Sequence, residues 1–315
     1  MVKQKRRAAL PMSDLRKTFG SRLQENVMMA NFTSARIGGP ADALLVVRSL
    51  DEMVEAATQL WALGAPFKLL GNGSNVLVSD AGLRAVVIIN HARTIKINSR
   101  QDMPTAWAES GVNLAVLARR AALRGFAGLE WIAAIPGSLG GAIYGNAGAF
   151  GSDIENCLAV AEILHPKLGR QVWDTEQFEY SYRSSVLKRQ PEEGIILAAE
   201  LKLSPGNCEV VQERTRELIE KRRKSQPPGS GMGSIFKNPP GNHAGKLIEA
   251  AGLKGKRIGG AEISTWHANF IINRENATAE DIRQLIELAQ EDVMRKFNVS
   301  LEMEIEMIGD WQPLA

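Results

Sequence analysis

Runs of hydrophobic residues separated by polar ones predict a chain that mixes strands and helices. Short aliphatic runs predict strands at residues 43–47, 67–70, 76–78, 85–90, 95–98, 106–109, 159–164 and 195–202. Hydrophobic residues at helical spacing predict helices at residues 50–63 and 113–124, and Gly64 and Pro66 end the first of them. The first two thirds of the chain are therefore expected to be of the α+β class.

The pattern changes after the turn-forming sequence Ser-Pro-Gly-Asn at residues 204–207. A charged helix is expected at residues 209–224, followed by a loop rich in Pro and Gly at residues 226–233. The remaining elements are a short helix at 246–251, a strand at 270–272, a helix from the N-cap Thr278 to about Lys296, and an alternating strand at 301–308. This change predicts a division of the chain near residues 205–215.

Composition narrows the classes of function. The 315 residues are 44% hydrophobic and 23% charged with a net charge of +3, so we expect two globular domains and no nucleic-acid partner. The basic run at residues 3–7 is interpreted as a solvated terminus, and no segment approaches the length of a membrane span. Cys157 and Cys208 lack the spacing of a disulfide framework or a metal site. We expect a cytoplasmic protein, monomeric or weakly oligomeric, without a membrane partner.

A glycine-rich stretch at residues 135–151 is a candidate binding site. It contains six glycines and no charged residue. Glycine allows positive φ angles and close approach of backbone N–H groups, which can surround an anion such as a pyrophosphate. A flexible linker is the alternative, but linkers are polar, whereas hydrophobic residues such as Ile143 and Tyr144 interrupt these glycines. We therefore predict a structured ligand-binding loop.

A second uncharged, glycine-rich loop begins at residue 71. Its sequence Gly71-Asn72-Gly73 resembles the start of a dinucleotide fingerprint, but Val76 stands where the third glycine would lie. The chain contains neither GxxxxGKS nor GxxxxGKT, so a phosphate-binding NTPase loop is not supported. Two such loops, each next to a predicted strand, suggest a cofactor with two phosphates that is held from both sides.

Three kinds of polar side chain could act chemically, and a structural explanation stays open for each. Ser234 lies in the sequence Gly-Ser-Ile-Phe-Lys-Asn-Pro without a hydrolase elbow, and it could also cap a turn. Arg183 could hold a carboxylate or phosphate through two hydrogen bonds, or lie on the surface. The last strand should place three carboxylates on one face, where solvent exposure is ordinary and one buried functional member is the alternative: Glu302, Glu304 and Glu306.

Seven segments, in this order, resemble those of the UDP-N-acetylenolpyruvoylglucosamine reductases, a family of bacterial flavoenzymes also called UDP-N-acetylmuramate dehydrogenases. The resemblance extends from about residue 31 to residue 309. Each segment alone is moderately specific, whereas the ordered set is very specific. The segments are residues 33–42, 70–80, 128–151, 182–188, 233–239, 267–273 and 301–309.

The resemblance implies an α+β fold with a two-lobed FAD-binding domain of the p-cresol methylhydroxylase type and a smaller α+β substrate-binding domain. The expected bounds are residues 1–69 with the tail 308–315 for the first lobe, 70–207 for the second lobe, and 208–307 for the substrate-binding domain. It also implies non-covalent FAD and NADPH as co-substrate. In the implied reaction, NADPH reduces the flavin and hydride then passes to C3 of UDP-N-acetylglucosamine enolpyruvate. A proton is added at C2, which gives UDP-N-acetylmuramate for peptidoglycan.

The resemblance also implies roles for individual residues. Arg183 would stabilise charge on the substrate carboxylate, Glu304 would orient or protonate in that site, and Ser234 would protonate C2 with help from a lysine or water. Substrate contacts are implied for Tyr182, Arg222, Lys237, Asn238 and His267, and Lys237 is the lysine that could assist. FAD contacts are implied for Gly71, Asn72, Gly73, Ser74, Asn75, Val76, Gly137, Ser138, Gly140, Gly141, Asn146, Ala147 and Gly148.

Departures from the family pattern and rival interpretations accompany this resemblance. Only 51 positions separate Arg183 from Ser234, which leaves little room for the tyrosine loop of some relatives and indicates the shorter subtype. Some relatives have lysine at the position of Ser225, and whether Lys224 replaces it stays open. The rivals are another flavoenzyme of this fold, such as a sugar or hydroxy-acid oxidase, and a nucleotide-sugar-binding protein without flavin.

Overall fold

The computed structural model describes residues 10–99 and 103–311 and confirms the α+β class. The basic run at residues 3–7 and the end of the predicted tail, residues 312–315, lie outside the described residues. The α-helices are Met12–Phe19, Leu50–Ala62, Leu114–Ala122, Leu139–Tyr144, Ile154–Cys157, Val186–Arg189, Cys208–Ser225, Ala244–Ala250 and Ala279–Phe297. Short 3₁₀ helices are Gly20–Arg22, Met29–Phe32, Glu130–Ala134, Glu176–Phe178 and Pro191–Glu193. The strands are Gln24–Met28, Pro40–Val47, Phe67–Leu70, Val76–Val78, Leu83–Asn90, Ile95–Asn98, Thr105–Glu109, Phe126–Ala127, Gly148–Ala149, Ser152–Asp153, Leu158–His165, Gly169–Trp173, Ile195–Lys202, Ser204–Pro205, Ser230–Gly231, Arg257–Ile258, Ala261–Ile263, Ile271–Asn273 and Glu306–Ile308.

The first lobe is built on a four-stranded mixed sheet. Its first two strands pair antiparallel and the others parallel, in the order Gln24–Met28, Pro40–Val47, Leu83–Asn90 and Phe67–Leu70. The helix Leu50–Ala62 begins after Ser49, whose hydroxyl accepts a hydrogen bond from a backbone N–H of the first turn. Its apolar face, which includes Leu60, shares one core with the strands.

The second lobe is built on a five-stranded antiparallel sheet, in the order Gly169–Trp173, Leu158–His165, Ile195–Lys202, Thr105–Glu109 and Ile95–Asn98. The helices Leu114–Ala122 and Leu139–Tyr144 contribute buried residues to its core. The helix Cys208–Ser225 also packs here, and its Leu218 belongs to the same core. The domain bounds stay a prediction, but this helix packs with the second lobe.

The C-terminal part packs around a four-stranded antiparallel sheet, in the order Ser230–Gly231, Ile271–Asn273, Ala261–Ile263 and Arg257–Ile258. Its core also includes Ala35, Ile37 and Leu77 from the rest of the chain. The helix Ala279–Phe297 buries Ile282 and Leu285 in this core. The predicted N-cap Thr278 is confirmed, and with Asp281 it forms a capping box that satisfies backbone N–H groups at the start of the helix.

The end of the chain returns to the beginning of the second predicted lobe. The strand Glu306–Ile308 pairs in parallel with Val76–Val78, directly after the glycine-rich loop that begins at residue 71. Ser79 extends this contact, because its hydroxyl donates to the carbonyl of Asp310 at 2.6 Å. The C-terminal segment therefore joins the C-terminal part to the loop that was predicted to bind a cofactor.

The predicted strand at residues 301–308 is wrong in its first five residues, since only the last three form a strand. The preceding residues are engaged by the loop that contains Ser234, which we name the serine loop (residues 233–239). The backbone N–H of Lys237 donates to the carbonyl of Glu302, and that of Glu304 donates to the carbonyl of residue 235, both at 2.8 Å. The backbone of this segment is therefore hydrogen-bonded to the serine loop and not to a neighbouring strand of a sheet.

The helix Leu139–Tyr144 lies inside the glycine-rich stretch, where the sequence predicts only a loop. Ser138 caps it, and burial of Leu139 and Ile143 in the second lobe outweighs the low helix propensity of its two glycines. The sequence analysis also does not predict several other elements, among them Met12–Phe19, Gln24–Met28, Gly169–Trp173, Val186–Arg189 and Ala261–Ile263, most of which are short. The other predicted elements are confirmed with small shifts at their ends.

Asp80 connects the strand region Val76–Val78 to the C-terminal part. Its two carboxylate oxygens accept hydrogen bonds from the backbone N–H groups of Ala279 at 2.9 Å and Glu280 at 3.0 Å. These are first-turn groups of the helix Ala279–Phe297, which have no partner within the helix and form the positive end of its dipole. A side chain from another part of the chain therefore completes the helix start.

Replacing Asp80 by alanine is expected to lower the free energy of unfolding by about 1–2 kcal/mol, because two donors lose their acceptor. Asp80→Asn keeps one acceptor and should cost less. Urea unfolding followed by tryptophan fluorescence measures both. Asp174→Ala is the matched control, since that carboxylate accepts from two backbone N–H groups within its own exposed turn. An Asp80→Ala midpoint equal to that of the unsubstituted protein would contradict the expectation.

Candidate functional site

A cavity of about 860 Å³ lies where the lobes meet the C-terminal part. Both glycine-rich loops line it, and so do the three side chains that the sequence analysis singled out for chemistry: Arg183, Ser234 and Glu304. The volume lies in the range of cavities that bind small molecules and cofactors. The structure thus brings together residues that are far apart in the sequence.

The two glycine-rich loops contact each other at the cavity wall. A Cβ atom on Gly71 would lie 2.1 Å from Ser138 Oγ and 2.9 Å from Ser138 Cβ, so only glycine permits this approach. Beside this contact, Ser74 Oγ donates a hydrogen bond to the carbonyl of Pro136 at 3.1 Å. The loops therefore form one continuous surface.

Twelve of the thirteen predicted FAD-contacting residues line the cavity, and Asn146 is the exception. Its side chain is almost fully buried, with Nδ2 donating to the carbonyl of Ser181 at 3.3 Å and Oδ1 accepting from the N–H of Glu155 at 3.2 Å. Asn146 thus braces the glycine-rich stretch against the turn before Arg183. The structure places it behind the loop surface.

Arg183 lies between the glycine-rich stretch and the C-terminal segment. Its Nε donates to Glu304 Oε1 at 2.9 Å, and its Nη2 donates to the carbonyl of Gly148 at 2.7 Å. The side chains of the ion pair are only 22% and 20% exposed, so their attraction is screened less than that of a surface pair. The interpretation of Arg183 as a surface arginine is therefore wrong.

The serine loop is clamped by Asn269, which is nearly buried. Asn269 Oδ1 accepts from the N–H of Phe236 at 2.9 Å, and its Nδ2 donates to the carbonyl of Phe236 at 2.8 Å. The neighbouring residue Ile235 donates its N–H to the Asn269 carbonyl and accepts from the N–H of Glu304. The Ser234 hydroxyl bonds to no described residue, so it can contact a ligand in the cavity.

Lys237 was a candidate assistant of Ser234, but its ammonium is engaged elsewhere. Lys237 Nζ pairs with Glu302 Oε1 at 2.5 Å, and Lys237 is not among the residues that line the cavity. Glu302 itself is largely exposed. The structure therefore places Lys237 behind the serine loop, with its charge already paired.

The three glutamates do not share a regular strand face, because most of their segment is not a strand. Glu302 is exposed, whereas Glu304 and Glu306 line the cavity. Burial raises the pKa of Tyr144, and the charge of Glu306 and a hydrogen bond to it raise this pKa further. The three glutamates thus differ in their surroundings: Glu302 is exposed, Glu304 pairs with Arg183, and Glu306 lies beside Tyr144.

Two further cationic residues that line the cavity, Arg222 and Lys188, lie near Arg183 and Glu304. Burial lowers the pKa of Arg222, the charge of Arg183 lowers it further, and Glu304 offsets part of this. Burial likewise lowers the pKa of Lys188, against the opposing effect of nearby glutamates. A guanidinium stays charged at neutral pH despite such a shift. This end of the cavity is therefore suited to an anionic ligand.

Four of the five predicted substrate-contacting residues line the cavity: Tyr182, Arg222, Asn238 and His267. Tyr182 is 53% exposed, so its ring is accessible. Asn238 Oδ1 accepts from the N–H of Ala244 at 3.1 Å and thereby supports the start of a helix. His267 packs edge-on against Phe270, and burial lowers its pKa.

The sequence analysis missed two polar residues that support this site, Lys188 and Asn269. Both lie inside segments of the family resemblance, residues 182–188 and 267–273. Asn269 stands between hydrophobic neighbours, and a polar residue in such a position usually has a hydrogen-bonding task. That signal was present in the sequence, but the partners were not identifiable from it.

The wall of the cavity fits a dinucleotide in its chemistry. One region consists of glycines with Asn and Ser side chains, which offer N–H and O–H donors without a fixed charge and suit a pyrophosphate. The lining also contains apolar side chains, which suit flat ring systems. They include Leu70, Leu114, Ile135, Ile195 and Ile196.

Two other kinds of site, a metal centre and a membrane-spanning helix, concern the described residues 10–99 and 103–311. Within these two stretches, no group of three or more His, Cys, Asp or Glu side chains is arranged to hold a metal ion. The helices of the described chain also lack the combination of length and apolar composition that is needed to cross a bilayer.

Two stretches of the chain match known protein families. Residues 41–173 match the FAD binding domain family. Residues 226–308 match the family described as UDP-N-acetylenolpyruvoylglucosamine reductase, C-terminal domain. These matches, together with the relatives that follow, define an FAD-containing oxidoreductase.

Whole-chain relatives narrow this class. The chain is 41% identical to the UDP-N-acetylenolpyruvoylglucosamine reductase of Chloroflexus aggregans over 91% of this chain and 97% of that protein. It is 41% identical to that of Carboxydothermus hydrogenoformans over 94% of this chain and 97% of the relative. The crystal structure of UDP-N-acetylenolpyruvylglucosamine reductase from Thermus caldophilus matches with a TM-score of 0.77 at 34% identity, covering 91% of this chain and 98% of that one. The chain belongs to the UDP-N-acetylenolpyruvoylglucosamine reductase family.

Gly71→Ala is expected to weaken FAD binding by about 10- to 100-fold, because the new Cβ forces the two loops apart. Titration of the FAD-free protein, followed by flavin fluorescence, measures the affinity. Gly145→Ala is the control, since its Cβ would make only an ordinary contact of 3.4 Å with Gly141 and its φ is negative. Equal losses in both variants would show that the contact between the loops does not determine affinity.

Proposed function

We propose that the protein reduces the enolpyruvyl group of UDP-N-acetylglucosamine enolpyruvate to UDP-N-acetylmuramate, a precursor of peptidoglycan, in the cytoplasm. NADPH is the proposed reductant and non-covalent FAD the carrier. The family supports this class of reaction. The observation that carries the proposal is the meeting of Arg183, Glu304 and Ser234 at one cavity with both glycine-rich loops.

FAD, when bound, supplies two-electron transfer between the nicotinamide and C3 of the substrate. We assign its phosphates to residues 71–76 and to the predicted residues of the glycine-rich stretch that line the cavity, none of which is charged. The latter are Gly137, Ser138, Gly140, Gly141, Ala147 and Gly148. Neither loop contains His or Cys, so neither offers a side chain for a covalent bond to the flavin. In this proposal the substrate approaches from the cationic end of the cavity.

Arg183 is proposed to bind the carboxylate of the enolpyruvyl group. When C3 gains hydride, negative charge develops at C2 and spreads onto this carboxylate. Glu304 and the carbonyl of Gly148 already hold the guanidinium at 2.9 Å and 2.7 Å, so little reorganisation is needed to stabilise that charge. The proposed role of Glu304 is to orient Arg183.

Ser234 is proposed to donate the proton to C2. A free hydroxyl is a weak acid, so it must lie close to the developing negative charge and be resupplied with a proton. The clamped serine loop supports such positioning, and the hydroxyl has no partner among the described residues. Because Glu302 engages Lys237, we assign the resupply to water and not directly to this lysine.

The UDP-sugar is proposed to contact the remaining polar residues of the cavity wall. Arg222 lies close enough to Arg183 for their charges to interact, which suits a ligand with both a carboxylate and a diphosphate. Tyr182 offers an accessible ring, and Asn238 and His267 offer polar atoms on the C-terminal part. Lys237 remains a weaker candidate because its charge is paired.

Anaerobic stopped-flow absorbance tests the proposed function. With the FAD-loaded protein, the flavin absorbance should fall when NADPH is added and recover only when the enolpyruvyl sugar nucleotide follows. Mass spectrometry should then show that the substrate has gained two hydrogen atoms. UDP-N-acetylglucosamine, which lacks the enolpyruvyl group, is the control and should not restore the absorbance. A flavin that stays reduced with the true substrate would refute the proposal.

Ser234→Ala is expected to leave flavin reduction by NADPH within about twofold and to slow reoxidation by substrate by about 10²- to 10⁴-fold, since only the second step needs the proton. The two steps are measured separately by stopped flow. Ser204→Ala, an exposed serine in the second lobe, serves as the control and should leave both rates unchanged. Comparable slowing of both steps by Ser234→Ala would contradict the assigned role.

A further inference from the structure

Lys188 lies at the cavity but has no task in the reaction described above. It belongs to the short helix Val186–Arg189, and it lines the cavity. Its Nζ donates to the carbonyl of Arg183 at 3.4 Å and to the carbonyl of Glu304 at 3.5 Å. These two residues are 121 positions apart and form the ion pair of the site. One ammonium therefore contacts the backbone of both partners.

The backbone of Arg183 needs such support. Its φ of +58° lies in the left-handed region, which residues with a Cβ rarely adopt. Ser181 and Ser184 exchange backbone hydrogen bonds at 3.1 Å and 3.0 Å across this turn. An unfavourable conformation persists only where the surroundings fix it, and the bond from Lys188 to the Arg183 carbonyl is part of those surroundings.

Lys188 is itself held in place from the cofactor side. Ser185, which is fully buried, accepts a hydrogen bond from the backbone N–H of Lys188 at 3.2 Å. The Ser185 hydroxyl also donates to the carbonyl of Tyr144 at 2.6 Å, in the glycine-rich stretch. The lysine is therefore fixed to the same part of the protein that is proposed to hold the cofactor.

The surroundings of Lys188 favour an ammonium with backbone partners. Burial lowers its pKa, as does the charge of Lys237, whereas the charges of Glu306, Glu304 and Glu302 raise it. A partly buried ammonium is stabilised by hydrogen-bond acceptors that take the place of lost water, and the two carbonyls, at 3.4 Å and 3.5 Å, are placed to serve as such acceptors. A neutral side chain of the same length would leave both carbonyls without this donor.

We propose that Lys188 is a positioning residue: its ammonium fixes the backbone of Arg183 and Glu304, so that guanidinium and carboxylate meet in the geometry that receives the substrate carboxylate. The catalytic consequence rests on the proposed function. The structural consequence does not, because it concerns only the ion pair and the turn.

Crystal structures of K188M and K188R test the structural consequence directly. In K188M, the Arg183 φ should leave the left-handed region or the Arg183–Glu304 pair should separate beyond hydrogen-bonding distance. K188R can donate to both carbonyls and should preserve both features. K296M is the matched control, because Lys296 Nζ also donates to a backbone carbonyl, that of Ala251 at 2.5 Å, and does not line the cavity. An unchanged turn and pair in K188M would overturn the proposal.

Stopped-flow kinetics test the catalytic consequence. K188M should slow flavin reoxidation by the substrate about 30- to 100-fold, as expected for a misplaced binding group, while flavin reduction by NADPH stays within about twofold. K188R should recover most of the lost rate, and K296M should change neither step. Equal slowing of both steps, or no recovery in K188R, would overturn the positioning role.

A second variant covers the case in which K188M does not fold. K188Q keeps an amide donor but is shorter and uncharged, and it should show the same selective slowing of reoxidation. Normal reoxidation in K188Q would overturn the proposal. If the unsubstituted protein does not pass electrons to the substrate, the proposed function fails, while the crystal structures still decide whether Lys188 positions the pair.

Discussion

The ion pair between Arg183 and Glu304 is the interaction on which the arrangement of the site depends. Its arginine also bonds to the carbonyl of Gly148 in the glycine-rich stretch. The backbone of Glu304 donates to the serine loop at Ile235 and accepts from the side chain of Asn75 in the glycine-rich loop that begins at residue 71. One residue pair thus sets both cofactor loops and the serine loop relative to one another. Displacement of either partner would disturb all three.

Stability alone does not account for such a pair. Both side chains are about four-fifths removed from solvent, and the loss of hydration at that depth offsets most of the Coulomb attraction. Two further cations near the pair, Lys188 and Arg222, have pKa values lowered by burial. Among the described residues, the cavity lining contains five Lys or Arg and three Glu side chains, so it is suited to an anionic ligand. The geometry is therefore better explained by ligand binding than by folding.

The sequence predicted what depends on local pattern or on a motif. The helix Ala279–Phe297 followed from its apolar spacing and the N-cap Thr278, and the two glycine-rich loops followed from their composition. The segment 301–308 shows the limit of this reasoning. Its alternating pattern is that of a strand, but the serine loop occupies its backbone groups, so only the last three residues pair in a sheet. An alternating hydrophobic pattern indicates which side chains are buried, but it does not show which backbone groups the segment hydrogen-bonds to.

The sequence could not show which residues of a motif line the cavity and which support it from behind. Their roles depend on contacts with residues that are far away along the chain. Asn146 and Lys237 stand beside cavity-lining residues in their motifs, yet the first braces a turn 35 positions away and the second pairs with Glu302, 65 positions away. The two glycine-rich loops contain no charged residue. A lysine in those loops would compete with Arg183 for the anionic groups of a ligand, whereas uncharged donors can hold a pyrophosphate and leave the carboxylate to the arginine. Arg183 contacts the glycine-rich stretch at Gly148, so the neutral donors and the cation would meet different groups of the ligand within one continuous site.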